Sequence, residues 1–128
     1  MNKYIHSEAD IYRLYDEATA LLSKKLSQDP TATRTLNQKY FQTNMVITLL
    51  SWYQLTLDEI IEIKAVDVTP TKIVGYEDIK FSAKALETFN YYKLTTLSSS
   101  NKFVVAERDN CEMNAESITQ RFSIRKWY

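Results

Sequence analysis

Apolar side chains at Ile11, Leu14, Tyr15, Ala18, Leu21 and Leu22 recur at intervals of three and four, as one face of a helix requires. Ser7 stands where it can cap the Asp10 amide, and Glu8 and Asp10 put negative charge in the first turn, which the helix dipole favours. Lys24 and Lys25 fall in the last turn, and Pro30 blocks continuation. These signals predict an amphipathic helix over 8–28. In LNQKYFQTNMVITLLSWY, Phe41, Met45, Leu49 and Trp52 fall one turn apart, with Val46, Leu50 and Tyr53 as a second row. So broad an apolar face predicts a buried helix over about 36–53. The β-branched residues of MVITLL offer a short strand as the rival.

The stretch LTLDEIIEIKAVDVTPTKIVGY carries two patterns at once. Thr56-Leu57-Asp58-Glu59 has the form of a capping box, and Leu57, Ile60, Ile61 and Lys64 then share a helical face. Ile61, Ile63, Val66 and Val68 are β-branched and suit a strand. Pro70 supplies the fixed φ favoured at the second position of a turn in Thr69-Pro70-Thr71-Lys72. A helix to about Ala65 followed by a hairpin around Pro70, and two plain strands, both remain open. IKF at 79–81 is expected to finish a small sheet. Ser82 can cap a helix on which Ala85, Leu86 and Phe89 share a face. Leu97 to Asn101 has loop composition, KFVVA suits a short strand, and Asn114 or Ser117 could cap a last helix carrying Ile118 and Phe122. The expected fold is mainly α with a small antiparallel hairpin or sheet at about 66–81. An α+β fold with a larger sheet is the alternative.

With 128 residues the chain fits a single domain over 1–128, large enough to bury roughly two-thirds of its unfolded surface without a disulfide or metal. Sixteen basic and sixteen acidic residues cancel, so no long-range field would gather nucleic acid or an anionic membrane by net charge alone, which leaves room only for a local basic patch. The lone cysteine, Cys111, has no partner for an intrachain bridge. The start, MNKYIHSEADIY, lacks the apolar run of a signal peptide, and MVITLLSWY falls short of the roughly 20 residues of a bilayer span. A cytoplasmic protein without a membrane span is expected. Gly75 is the sole glycine, which excludes glycine-rich phosphate loops and dinucleotide fingerprints.

The run Leu55-Thr56-Leu57-Asp58-Glu59-Ile60-Ile61-Glu62-Ile63-Lys64-Ala65-Val66-Asp67-Val68 resembles the tyrosine recombinase (phage integrase) family, whose catalytic domain carries Gly-Leu-Arg-Ile-Ser-Glu-Leu, spaced leucines and an Asp-Ile pair. MVITLLSWY is similar to the apolar helix before that run, and SEADIYRLYDEA to the first helix. KFSAKALETFNYY resembles the helix after the family's small sheet, and ESITQRFSIRKWY the helix before its second catalytic box. The resemblance implies a recombinase-like helical domain with telling departures. The family's glycine falls at Gln54, and its first catalytic arginine at Thr56, which cannot grip a scissile phosphate with two charged hydrogen bonds. Lys72 is the nearest counterpart of the catalytic lysine. The His-x-x-Arg box and nucleophilic tyrosine would fall past Tyr128. A truncated or degenerate relative is implied, without strand cleavage.

No complete catalytic, metal or nucleotide motif stands in the chain. His6, the sole histidine, forbids a histidine-rich zinc site, and Cys111 between Asn110 and Glu112 reads as a bystander thiol. Glu59, Glu62, Asp67, Glu77 and Asp78 read as surface charges unless one is buried in a pocket. Asp109, Asn110, Glu112 and Asn114 lack the register and glycine of a calcium loop. No metal and no cofactor is expected. Tyr40-Phe41, Trp52-Tyr53, Phe89, Tyr91-Tyr92 and Trp127-Tyr128 suit a core first and an interface second. In the tail RFSIRKWY, Arg121 and Arg125 share a helical face beside Lys126 and Trp127, a candidate surface for phosphates or a partner. Three functions fit: an inactive recombinase-like domain that binds DNA or docks a partner, an interaction module that self-associates, and a small-ligand pocket protein.

Overall fold

The computed structural model describes residues 5–28, 34–96 and 101–105. Four helices are joined by turns: α1 (Glu8–Gln28), α2 (Arg34–Trp52), α3 (Leu57–Glu62) and α4 (Ala83–Thr96), with a 3-10 turn at Ala65–Asp67. The fold is mainly α. The Asp10 amide donates to the Ser7 carbonyl oxygen at 3.2 Å, and the Asp10 carboxylate reaches back to the amides of His6 and Ser7. The start of α1 is thereby closed from both directions.

The MVITLL segment is helical, and burial on several sides explains why its β-branched residues do not make it a strand. Thr43, Asn44, Met45, Val46, Ile47, Leu49 and Leu50 are all buried. α2 packs against α1, α3 and α4, so nearly every face meets a neighbour. Burying each of Leu49 and Leu50 contributes about 2 kcal/mol. Thr48 turns its hydroxyl onto the Asn44 carbonyl at 2.7 Å, which satisfies it within the helix.

α2 ends in a Schellman motif. Leu55 donates to the Leu50 carbonyl and Gln54 to that of Ser51, while Gln54 adopts φ +75°. Leu55 and Leu50, both buried, supply the apolar contact that accompanies this closure. The chain then enters α3 at Thr56, where the capping box forms in full: Glu59 donates its amide to Thr56 Oγ1, and Thr56 its amide to Glu59 Oε1.

Of the small antiparallel hairpin or sheet expected over about 66–81, a minimal hairpin forms, with a Val68–Ile73 bridge and the Val74 amide on the Asp67 carbonyl at 2.9 Å, but neither a small sheet nor a larger one is present among the described residues. Among the described residues the extended pairing consists of isolated bridges, including antiparallel Val68–Ile73 and Lys64–Lys102. The turn at Thr69–Lys72 is present, closed by Thr69 N–H to the Lys72 carbonyl at 2.9 Å. Beyond it the backbone bonds to itself locally, Tyr76 to Ile73, Ile79 to Tyr76 and Phe81 to Ile79, and Gly75 takes φ +96°. IKF at 79–81 therefore lies in turns rather than a strand. Carbonyls that a further strand would have met are taken by α4: Asn90 donates to the Thr69 oxygen and Lys93 to that of Val68, both at 2.9 Å.

KFVVA is likewise no strand over its described part. Phe103, Val104 and Val105 are buried in succession, without the alternation of a strand, and Phe103 N–H bonds the Ile63 carbonyl. Ser82 caps α4 as expected, accepting from Ala85 N–H at 3.0 Å. The last helix expected around Asn114 to Phe122 lies outside the described residues.

A chain of rings crosses the core. Tyr53, Phe81, Phe89, Phe103 and Tyr92 meet edge to face in sequence, at centroid distances of 4.7, 5.6, 6.1 and 5.3 Å. Tyr92 hydrogen-bonds buried Thr43 and accepts from Val105 N–H, so its hydroxyl is satisfied inside the core. No helix among the described residues is long and apolar enough to cross a membrane.

Candidate functional site

Thr56, where the resemblance would put a catalytic arginine, is exposed, and its hydroxyl and amide are both engaged by Glu59. The Tyr76 hydroxyl also bonds Glu59; burial, the Glu59 charge and that bond raise its pKa. The position thus carries a neutral cap beside a carboxylate, the opposite of a phosphate grip. Lys72 occupies the exposed turn after Pro70, where its amide and carbonyl both bond Thr69. The Gly75 amide, then Glu77's own amide, lower the Glu77 carboxyl, and the Lys72 charge adds to this. Thr56 and Lys72 bond to different partners and form no shared cluster. Arg121, Arg125, Lys126, Trp127 and Cys111 lie outside the described residues.

His6 is exposed, and its backbone amide anchors Asp10. Glu59 serves the cap, Glu62 pairs with Lys102 at 3.3 Å, and Glu77 and Asp78 are exposed. No group of three or more His, Cys, Asp or Glu side chains suited to a metal occurs among the described residues.

The densest polar cluster among the described residues was not anticipated. The Glu8 carboxylate accepts from three hydroxyls: Tyr12 at 2.7 Å, Tyr53 and Ser82. Tyr53 in turn accepts from Ser82 N–H at 3.0 Å, and Lys84 Nζ lies 4.6 Å from the centroid of the Tyr12 ring. The cluster ties the start of α1, the end of α2 and the cap of α4 together. Partial burial pushes the Glu8 carboxyl up, but the Ser82, Tyr53 and Tyr12 donors outweigh it and leave its pKa below the ordinary value. Burial, reinforced by the bond to Glu8, pushes Tyr12 and Tyr53 up. Tyr12 stands four residues from Glu8, a helical pairing visible in the sequence, whereas Tyr53 and Ser82 arrive only through tertiary packing.

A second feature is a groove of about 190 Å³. Tyr15 of α1, Gln42 and Met45 of α2, and Glu87, Thr88 and Tyr91 of α4 form its walls, with Tyr92 behind them. The Tyr15 pKa is raised chiefly by burial, while its hydrogen bond with Gln42 acts the other way. Tyr91 is 61% exposed, and Leu94, three residues further along α4, is 71% exposed.

No protein-family model matches the chain, and no curated protein or solved structure matches it either.

Proposed function

We propose that the chain is a catalytically inactive, tyrosine recombinase-like helical domain, of the kind found in phages and mobile elements, that docks onto DNA in the cytoplasm without cutting it. The observation that carries this reading is Gln54. The resemblance puts a glycine there, and the backbone at Gln54 has φ +75°, the conformation for which glycine is ordinarily needed. The local chain path therefore makes the demand that the family's glycine would meet, although the residue has changed. Two positions on, Thr56 caps α3 where the family carries its first arginine. Loss of that arginine removes the charged clamp on the scissile phosphate, and with it the basis for strand cleavage.

Supercoiled plasmid incubated with the protein and resolved on a denaturing gel tests the inactive half of the proposal. Unchanged supercoiled DNA is expected. Nicked circles, relaxed topoisomers or DNA covalently attached to protein would overturn it.

A second reading, a protein interaction module that self-associates, draws on Tyr91 and Leu94, whose large side chains stand exposed near each other on α4. A concentration-dependent dimer that Leu94→Lys dissolves would favour it; a monomer at all concentrations would remove it.

A further inference from the structure

The groove between α1, α2 and α4 combines aromatic walls with one uncompensated charge. Glu87 is the one formally charged residue lining it, and its exposed carboxylate has no hydrogen-bond or ion-pair partner among the described residues. The α4 cations are engaged elsewhere. Lys84 lies over the Tyr12 ring, and Lys93 donates to the Val68 carbonyl. Tyr91, one turn beyond Glu87, is 61% exposed. Across the groove the Tyr15 hydroxyl is hydrogen-bonded to Gln42, which holds that wall in place. Met45, 8% exposed, adds a polarizable thioether to the lining.

We propose that this groove binds the guanidinium of an arginine presented by a partner protein. Tyrosine faces attract cations through their negative ring faces, and Glu87 adds a full negative charge at the same opening. A neutral or acidic side chain would leave that charge unanswered. Arginine suits the groove better than lysine because its planar, weakly hydrated group stacks on aromatic rings and offers a carboxylate two parallel hydrogen bonds. At about 190 Å³ the space equals roughly six water volumes, enough for the guanidinium and its last methylenes. Leu94, 71% exposed beyond Tyr91, gives an apolar residue flanking the arginine a surface to cover. This inference rests on the groove alone and stands whether or not the domain is recombinase-like.

The test is a nuclear magnetic resonance titration of the full chain with acetyl-Gly-Arg-Gly-amide, alongside the citrulline peptide, which keeps the shape and removes the charge. Saturable shifts of Tyr15 and Tyr91 ring signals are expected for the arginine peptide, with a dissociation constant on the order of 1 mM. Glu87→Gln and Tyr91→Ala should each weaken binding about three- to tenfold. Both positions are exposed, so the variants should melt like the parent. Equal binding of the citrulline peptide, an absence of saturable shifts, or affinity unchanged in both variants would overturn the proposal. Equal binding of acetyl-Gly-Lys-Gly-amide, titrated in the same way, would overturn the assignment to arginine.

Discussion

Gln54 holds a backbone conformation that costs an L side chain about 1–2 kcal/mol relative to the right-handed region. Its side-chain amide reaches the Trp52 carbonyl at 3.3 Å, and the Schellman bonds of Gln54 and Leu55 keep the turn in place despite the strain. Gln54→Gly should relieve the strain, while the added freedom of glycine in the unfolded chain takes back part of the gain. A net stabilisation of about 0.5–1 kcal/mol, read as a rise of about 2–4 °C in thermal midpoint, is the expected outcome. A destabilised variant would mean that the residue is not left-handed in solution. The capping box at Thr56 and Glu59 was legible in the sequence because it depends on spacing alone. The left-handed residue at 54 was not legible in the sequence, since glutamine gives no sign of it.

At the scale of elements, helices were easier to read than the segments between them. α4 follows its cap and apolar spacing closely; α1 keeps its expected bounds, but the Asp10 amide bonds the Ser7 carbonyl and Leu21 is exposed; and in α2 burial decided against the strand that Val46 and Ile47 had suggested. In the stretch from Val66 to Phe81 the hairpin turn around Pro70 forms as expected but no sheet grows from it, because β-branching records a preference, whereas strand formation needs a partner. Here Asn90 and Lys93 of α4 satisfy carbonyls of the turn instead. The Glu8 cluster joins elements that propensity treats separately, and it sets a pH window. The folded-state pKa of Glu8 is depressed, so its contribution is present above the unfolded carboxylate value and is lost as pH falls through the folded value. Those of Tyr12 and Tyr53 are raised, so their contribution is full below the unfolded phenol value and is lost as pH rises through the folded one. Glu8→Gln should lower stability at neutral pH by about 1–2 kcal/mol and flatten the acid limb of a plot of thermal midpoint against pH. Parallel curves for parent and variant across the acid range would show that Glu8 does not carry this dependence.

Over the whole molecule, the ring chain from Tyr53 to Tyr92 links α2, the turn region, α4 and the 101–105 segment into one core. Phe89 sits in the middle of it and is fully buried, touching Phe81 and Phe103 edge to face. Phe89→Ala should cost about 3–5 kcal/mol in denaturant unfolding, through lost burial and the cavity left behind. A loss under about 1 kcal/mol would show that these elements do not share a core. The apolar spacing in the sequence placed Phe89 on a buried face, but which rings it would meet depended on how α4 crosses the other elements.

The proposed role of the whole molecule is docking to DNA without cleavage. The most direct test is a titration of binding to mixed duplex DNA across a range of salt concentrations, with the oligomeric state of the same sample recorded. If Lys72, Arg121, Arg125 and Lys126 each neutralise one phosphate, the logarithm of the binding constant should fall with the logarithm of salt concentration at a slope of about −3 to −4. No binding at the lowest salt, or binding indifferent to salt, would contradict the account.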